Sequence, residues 1–412
     1  MRASETQAGH AWLENFAAVD RPAATMLIDS LRFASLSTLS RGLKDHLLSL
    51  VKTGDVQAPI LPIPERALSD FLVEEPLGES PVAFDEFLPG GPMPVAHGSE
   101  GLVGRLLRDF VEAGSNGDDA WMPPDADLER LRAEKCRSIV IATDYAGSGS
   151  QLLKLADAIV RNRTIRSWRS SGYIRIHAVA FAATPAALER LRKSDSIDSA
   201  SSWEGAPSFD SIIGWTDEAR DTIRQLCVTE AQAGYKKVAL GWRKTAGLYA
   251  SEHRAPNNLP AVFWQEGRWR PLFPGKKVPP EVARQFEDLR PSPTLPELAE
   301  HVGQLRIGHN ERIDSMPLTS KRLLRLLILL AQARRSNDTV AAELGIDVAE
   351  AVGLRESLER LELLDTDGHV TDRGRQEIDA QKRARRRTTA DVSRSDTEYY
   401  PVSLRSGGGM SA

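Results

Sequence analysis

The chain has 412 residues, 41% hydrophobic and 27% charged, which is enough for two or three compact domains and too apolar for a disordered protein. Lys and Arg total 53 against 57 Asp and Glu, a formal charge of −4, so any surface that attracts nucleic acid must be local. Two distant cysteines, Cys136 and Cys227, exclude a disulfide scaffold and fit a reducing cytoplasm, where the protein is expected; the most apolar run, 323–331, is broken by Arg325, so neither secretion nor membrane insertion is expected.

In chain order, Trp12, Phe16, Leu27, Leu31, Leu39, Leu43 and Leu47 recur at helical steps and predict a helical cap of two amphipathic helices over 1–54. Pro59, Pro62 and Pro64 open a Pro- and Gly-rich irregular stretch that runs to Gly91. An α/β domain is expected over 55–290, with a short strand at 93–97, a helix at 102–113, strands at 137–144 and 173–182, and a helix at 185–193. Strands alternating with helices predict a largely parallel sheet covered on both faces. Residues 195–210, dense in Ser, Asp, Gly and Pro, read as an exposed loop; a helix at 217–233 and strands at 246–251 and 261–264 follow. A proline-rich stretch, 274–296, wraps or links, and 291–317 is taken as the linker. Over 318–379 the pattern is helix, helix, a turn at Gly345, helix, a hairpin at Asp367-Gly368 and a last helix, which is the order of a winged helix. The tail, 380–412, carries seven Lys or Arg against three Asp or Glu, and is expected to be basic and mobile.

The most informative string is 139–151, IVIATDYAGSGSQ. A buried strand delivers Asp144 at its C-terminal end, and Ala146, Gly147, Ser148, Gly149 and Ser150 then expose amides and hydroxyls where a helix begins. Such amides suit a phosphate, while Asp144 can accept from ribose hydroxyls. The same glycines also read as a tight strand-to-helix turn. A Walker A loop, a dinucleotide GxGxxG and a GxSxG nucleophile elbow all fail on residues present, and the tetrapeptide that a DNA methyltransferase adds to a similar loop is missing.

This string resembles the ribose-phosphate loop of type I phosphoribosyltransferases, with Thr143 at the first of their two acidic positions. A narrower resemblance spans much of 11–310. Trp12, Phe16 and Asp20-Arg21, then Gly98-Ser99-Glu100-Gly101, the Asp144 loop, and Ala255-Pro256-Asn257-Asn258 followed by Trp264 and 269–273 together resemble phosphoribosyltransferase-like proteins of bacterial conflict systems, some of which accompany retron reverse transcriptases. The resemblance implies an α/β fold of the type I phosphoribosyltransferase kind with a C-terminal winged helix. It implies an anti-phage effector or sensor acting on a nucleotide or ribose 5-phosphate, with Mg²⁺ as the cofactor accompanying phosphoribosyl pyrophosphate. Two functions stay open: a transferase or nucleotide-cleaving enzyme, and a non-catalytic sensor or scaffold that docks a reverse transcriptase with its RNA or DNA, another effector, or a second copy of the chain.

On that reading Asp144 and Glu100 are the catalytic candidates, Thr143, Asp144 and residues 146–150 hold the ribose phosphate, and Gly98, Ser99 and Gly101 face the leaving group. The last three equally read as a serine-capped helix start. Asn257, Asn258 and Trp264 are candidates for contact with a base or acceptor, or else a turn and core filling. His97 is the histidine to test as an acid or base, and His177 reads as a core or sheet-edge residue; no histidine pattern supports a metal site. The expected recognition helix, 347–363, carries five acids against two arginines and would be repelled by DNA. Lys382, Arg383, Arg385, Arg386 and Arg387 are the candidates for nucleic-acid phosphate contact, or a solvated tail.

Overall fold

The computed structural model describes residues 2–66, 99–114, 120–308, 313 and 316–383. Six strands are present among them: β1 (Arg32–Ala34), β2 (Ile60–Pro64), β3 (Ser138–Ala146), β4 (Arg175–Ala183), β5 (Ser199–Gly205) and β6 (Tyr249–Ser251). Strands β2-β3-β4-β5 form a parallel sheet in that order, and β1 pairs in parallel with β6.

The four-stranded sheet is buried on both faces, as its continuous apolar strands require. Ile139 and Ile141 of β3, with Ile176 and Ala178 of β4, pack under Leu152, Leu155 and Ile159 of the Ser150–Arg161 helix and Leu188 and Leu191 of the Pro185–Arg192 helix. The alternate residues Val140, Ala142, Val179 and Phe181 meet Leu39, Leu43 and Leu47 of the Leu36–Lys52 helix and Val103 and Leu107 of the Ser99–Gly114 helix. Because all four strands run parallel, their C-terminal ends lie on one edge of the layer, with the loops that follow them.

The N-terminal segment contributes to two different cores. Three helices, Gln7–Leu13, Arg21–Asp29 and Leu36–Lys52, and strand β1 replace the two helices expected. Trp12, Phe16, Leu27, Leu31 and Phe33 share an aromatic-rich core with Phe209, Phe263, Phe273 and Phe286, whereas Leu39 to Leu50 cover the sheet. The Trp12 ring stacks on Phe263 at 5.0 Å, and its indole N–H donates to the Val262 carbonyl at 2.9 Å.

Several expected loops and strands change character. Residues 195–210 are not an exposed loop: they contain β5, whose alternate residues Ala200, Ser202 and Glu204 are buried. Polar composition concealed a strand that other parts of the chain cover. The strand expected at 261–264 is a single helical turn, Ala261–Phe263, because Pro260 sets its start and the Trp264 amide closes it onto the Ala261 carbonyl at 2.9 Å. The strand expected at 246–251 shortens to β6, since Ala246 has a positive φ of 44° that no strand tolerates. The expected strand at 93–97 lies outside the described residues.

Helices Leu318–Gln332, Asn337–Leu344, Val348–Arg360 and Asp372–Arg383, with an antiparallel bridge between Leu364 and Val370, form the C-terminal winged helix. Residues 291–317 hold two further helices, Leu295–His301 and Leu305–Gly308, and Leu298, Ala299, Ile307 and Ile313 join the core of Leu326, Leu327, Leu354 and Leu358. No helix among the described residues is long and apolar enough to cross a membrane.

Candidate functional site

Strand β3 ends in Thr143-Asp144-Tyr145-Ala146, and the chain turns through Gly147-Ser148-Gly149 into the Ser150–Arg161 helix. Gly149 takes φ +66°, a left-handed conformation that lets the turn reverse within three residues. The Gly147 carbonyl is fixed by the Thr184 hydroxyl at 2.8 Å, and the Ser150 amide leans on Ser148 Oγ at 3.4 Å. Among the described residues, the amides of Gly147, Ser148 and Gly149 donate to no protein acceptor. Three free donors at the start of a twelve-residue helix present partial positive charge.

Two guanidiniums reinforce that charge. Arg190 Nη1, from the Pro185–Arg192 helix, and Arg243 Nη1, from the single helical turn Trp242–Lys244, each donate to Ser150 Oγ at 2.9 Å. Among the described residues neither pairs with a carboxylate. Like charges converging on one hydroxyl repel each other, and an anion between them would reverse the sign of that interaction. Arg243 holds φ +53° and its neighbour Lys244 φ +56°, so the arginine is presented by a strained backbone.

The acidic side of the site is built from two strands. Asp144 Oδ1 accepts from the Tyr145 amide at 2.9 Å and lies 3.4 Å from Thr143 Oγ1. Burial lifts the Asp144 carboxyl above its ordinary range, against the Tyr145 N–H, His253 and Thr143, which all favour its charge. Thr143 Oγ1 also hydrogen-bonds Glu65 Oε2, which the chain positions immediately after β2. Burial pushes Glu65 up to about 8; the charges of Asp144 and Glu100 add to the rise, while hydrogen bonds from Thr143 and from the Leu152 backbone oppose it.

The other candidates from the sequence divide. Ser99 and Gly101 stand in the first turn of the Ser99–Gly114 helix, so the expected leaving-group loop is already helical at those positions; Gly98 and His97 lie outside the described residues. Glu100 is brought to the phosphate loop, where it accepts from Gln151 Nε2 at 2.8 Å. Asn258 is also brought there: a Cβ on Gly147 would stand 2.4 Å from its Cγ, so this side chain covers part of the turn. Its amide donates to Thr245 Oγ1 at 2.7 Å. Asn257 points elsewhere, accepting from Lys276 Nζ. Trp264 is 8% exposed, donates to the Leu259 carbonyl at 3.0 Å, and carries Lys276 over its ring at 4.2 Å and Tyr235 edge-on, which fills the face that a base would need.

His177 sits in β4 with Nδ1 2.7 Å from Ser199 Oγ, a buried sheet residue as expected. Of the basic cluster, Lys382 pairs with Asp379 at 2.6 Å and Arg383 ends the last helix, while Arg385, Arg386 and Arg387 lie outside the described residues.

The sequence reading missed Glu65, Arg190 and Arg243. Glu65 follows a strand whose two prolines read as irregular, and the two arginines reach Ser150 from 40 and 93 residues away. No local signal marks such contacts.

A family model described as PRTase-CE matches residues 10–274, more than half of the chain. The chain belongs to the PRTase-CE family. In this PRTase-CE protein a second model, described as wHTH-PRTase associated, matches residues 324–406. No curated protein and no solved structure matches it.

The winged helix of the PRTase-CE chain is docked against its own α/β body. A Cβ on Gly345, at the helix-turn-helix bend, would stand 2.1 Å from the Pro291 carbonyl oxygen. Asp347, immediately before the next helix, bridges to Glu204 of β5 through the backbone and accepts from Arg290 Nη1 at 2.6 Å. Asp338 accepts from Arg192 at 2.7 Å. The end of the helix that would enter a DNA groove is thus held against protein, in agreement with its excess of acids.

Proposed function

We propose that this PRTase-CE protein binds a ligand carrying a ribose 5-phosphate, a nucleotide or phosphoribosyl pyrophosphate, at the C-terminal ends of β2 and β3, and that it acts on that ligand as an anti-phage effector. The observation that carries the reading is the convergence of Arg190 and Arg243 on Ser150 beside the three free amides of residues 147–149. Amides, hydroxyls and two cations match a phosphate dianion, and Asp144 stands at the strand end where the sugar hydroxyls would lie. Asn258, which now covers Gly147, offers a carbonyl and an amide to the same ligand and would shift as it enters. Were the ligand a diphosphate, Mg²⁺ bound with it beside the carboxyls of Asp144 and Glu100 would supply positive charge to the leaving group. The defence role rests on the resemblance to conflict-system proteins.

A second reading, a sensor without turnover, is favoured by one observation. The Pro185–Arg192 helix touches the phosphate loop through Arg190 and the winged helix through Arg192, so a ligand that moved the first contact would be felt at the second. In that reading the winged helix and tail hold a reverse transcriptase with its nucleic acid, or another effector. Calorimetric titration with ribose 5-phosphate, phosphoribosyl pyrophosphate and nucleotides, followed by product analysis, separates the two. Turnover that Asp144→Ala abolishes supports the enzyme; binding with no product supports the sensor; no binding by any phosphorylated ribose overturns both.

A further inference from the structure

The loops that residues 139–151 resemble carry two adjacent acids, and this chain has Thr143 where the first would stand. In the fold a second carboxyl arrives from the neighbouring strand. Pro64 pairs with Ala142 at the end of the β2–β3 ladder, and the Glu65 amide donates to the Ala142 carbonyl at 2.7 Å. That hydrogen bond sets Glu65 level with Thr143, whose hydroxyl meets Glu65 Oε2 and lies 3.4 Å from Asp144 Oδ1.

A hydroxyl owns one proton. To bond both carboxyl groups, Thr143 must give its proton to one and receive a proton from the other. The three side chains therefore satisfy one another when the two carboxyls hold a single proton between them, whereas two ionised carboxylates would repel in a space with little water. The charged surroundings act in the same sense. Asp144 comes from β3 and Glu100 from the Ser99–Gly114 helix, both raising the cost of a charge on Glu65, while His253, from the loop after β6, favours charge on Asp144.

We propose that Glu65 is a positioning residue for Asp144, acting through the Thr143 hydroxyl, and that it supplies from β2 the acid that the β3 loop lacks. Holding the shared proton, it keeps Asp144 ionised and oriented toward sugar hydroxyls without placing a second negative charge beside a phosphorylated ligand. The proposal rests on the ribose-phosphate reading above.

The test is calorimetric titration of the full chain with ribose 5-phosphate and with phosphoribosyl pyrophosphate, at a series of pH values between about 6 and 9. Wild-type affinity is expected to fall as pH rises through the upper part of that range. Glu65→Gln keeps a donor and an acceptor and does not titrate, so it should bind within about threefold of wild type at neutral pH and lose this fall; Glu65→Ala should bind about tenfold more weakly. Glu65→Ala binding as tightly as wild type, or Glu65→Gln following the wild-type pH profile, overturns the proposal alone. A wild type that binds neither probe overturns the ribose-phosphate reading and this proposal with it. A ligand-free measurement guards against a folding defect: infrared difference spectra over the same pH range should show a protonated carboxyl band disappearing in wild type, absent in Glu65→Gln and displaced in Thr143→Val. A band that Thr143→Val leaves in place shows that the hydroxyl does not couple the pair, and also overturns the proposal.

Discussion

Gly205 and Ala342 meet backbone to backbone: a Cβ built on Gly205 would stand 2.4 Å from the Ala342 amide nitrogen. Gly205 ends β5, the edge strand of the four-stranded sheet, and Ala342 belongs to the Asn337–Leu344 helix of the winged helix. Backbone on both sides cannot yield to a side chain as a flexible neighbour would. Gly205→Val is therefore expected to push the winged helix off the sheet edge. Small-angle scattering should report a larger radius of gyration, and limited proteolysis should cut faster within 291–317. Unchanged scattering and cleavage would show that the domain is held elsewhere.

The ion network beneath this contact is buried. Arg32 binds Glu204 through Nε at 2.9 Å and Nη2 at 3.0 Å, with the two side chains 3% and 2% exposed, and Arg290 adds a bond to Glu204 at 2.9 Å. Removing one partner of a buried pair leaves the other charge without water or protein to solvate it, at a cost of about 3–5 kcal/mol. Glu204→Ala should therefore destabilise far more than Arg290→Ala, whose side chain is 28% exposed. Urea unfolding of both variants checks the order, and equal losses would contradict it.

What the sequence made legible follows from the range of the interactions involved. Strand β3, its loop and the next helix were readable because an apolar run, two glycines and a helical period lie within about twenty residues. The winged helix was readable for the same reason, with Gly345 at the left-handed turn. Strand β5 was not, because Ser199-Ala-Ser-Ser-Trp-Glu-Gly205 is buried by elements from distant parts of the chain, not by its own hydrophobicity. Glu65 escaped likewise: its partner Thr143 is 78 residues away, and only the parallel register of β2 on β3 brings the two together.

Two buried histidines are expected to contribute to the acid limb of stability. Burial lowers both His46 and His177 to about 4, with His46 Nε2 3.0 Å from Ser201 Oγ and His177 beside Ser199. In the unfolded chain each titrates near its ordinary value of 6.5. Below that pH the unfolded state takes up protons that the folded histidines refuse, so their contribution to stability is lost as pH falls from about 6.5 toward 4, by up to about 1.4 kcal/mol per pH unit for each group. Replacing both with Gln should flatten denaturation midpoints over this window relative to wild type. A double variant as acid-sensitive as wild type would assign the loss to carboxylates instead.

The two arginines at Ser150 make separable contributions to anion binding. Each Nη1 stands 2.9 Å from the serine hydroxyl, and Arg190 also reaches the Ser148 carbonyl at 3.4 Å. A hydrogen bond between charged partners contributes about 1.5–3 kcal/mol, so Arg190→Ala and Arg243→Ala should each weaken ribose 5-phosphate binding by at least about tenfold. Their loss should leave binding of the uncharged nucleoside unchanged, because the guanidiniums bond Ser150, and Arg190 also Ser148, while Asp144 takes its hydrogen bonds from Tyr145 and Thr143. Both side chains are exposed, so wild-type affinity should also fall with added salt, and less steeply in either variant. Lys at position 243 should recover only part of the loss, since an ammonium cannot match the guanidinium fork. Variants that bind phosphorylated and unphosphorylated ligands with the same reduced affinity would mean that the arginines support the fold of the loop and do not hold its anion.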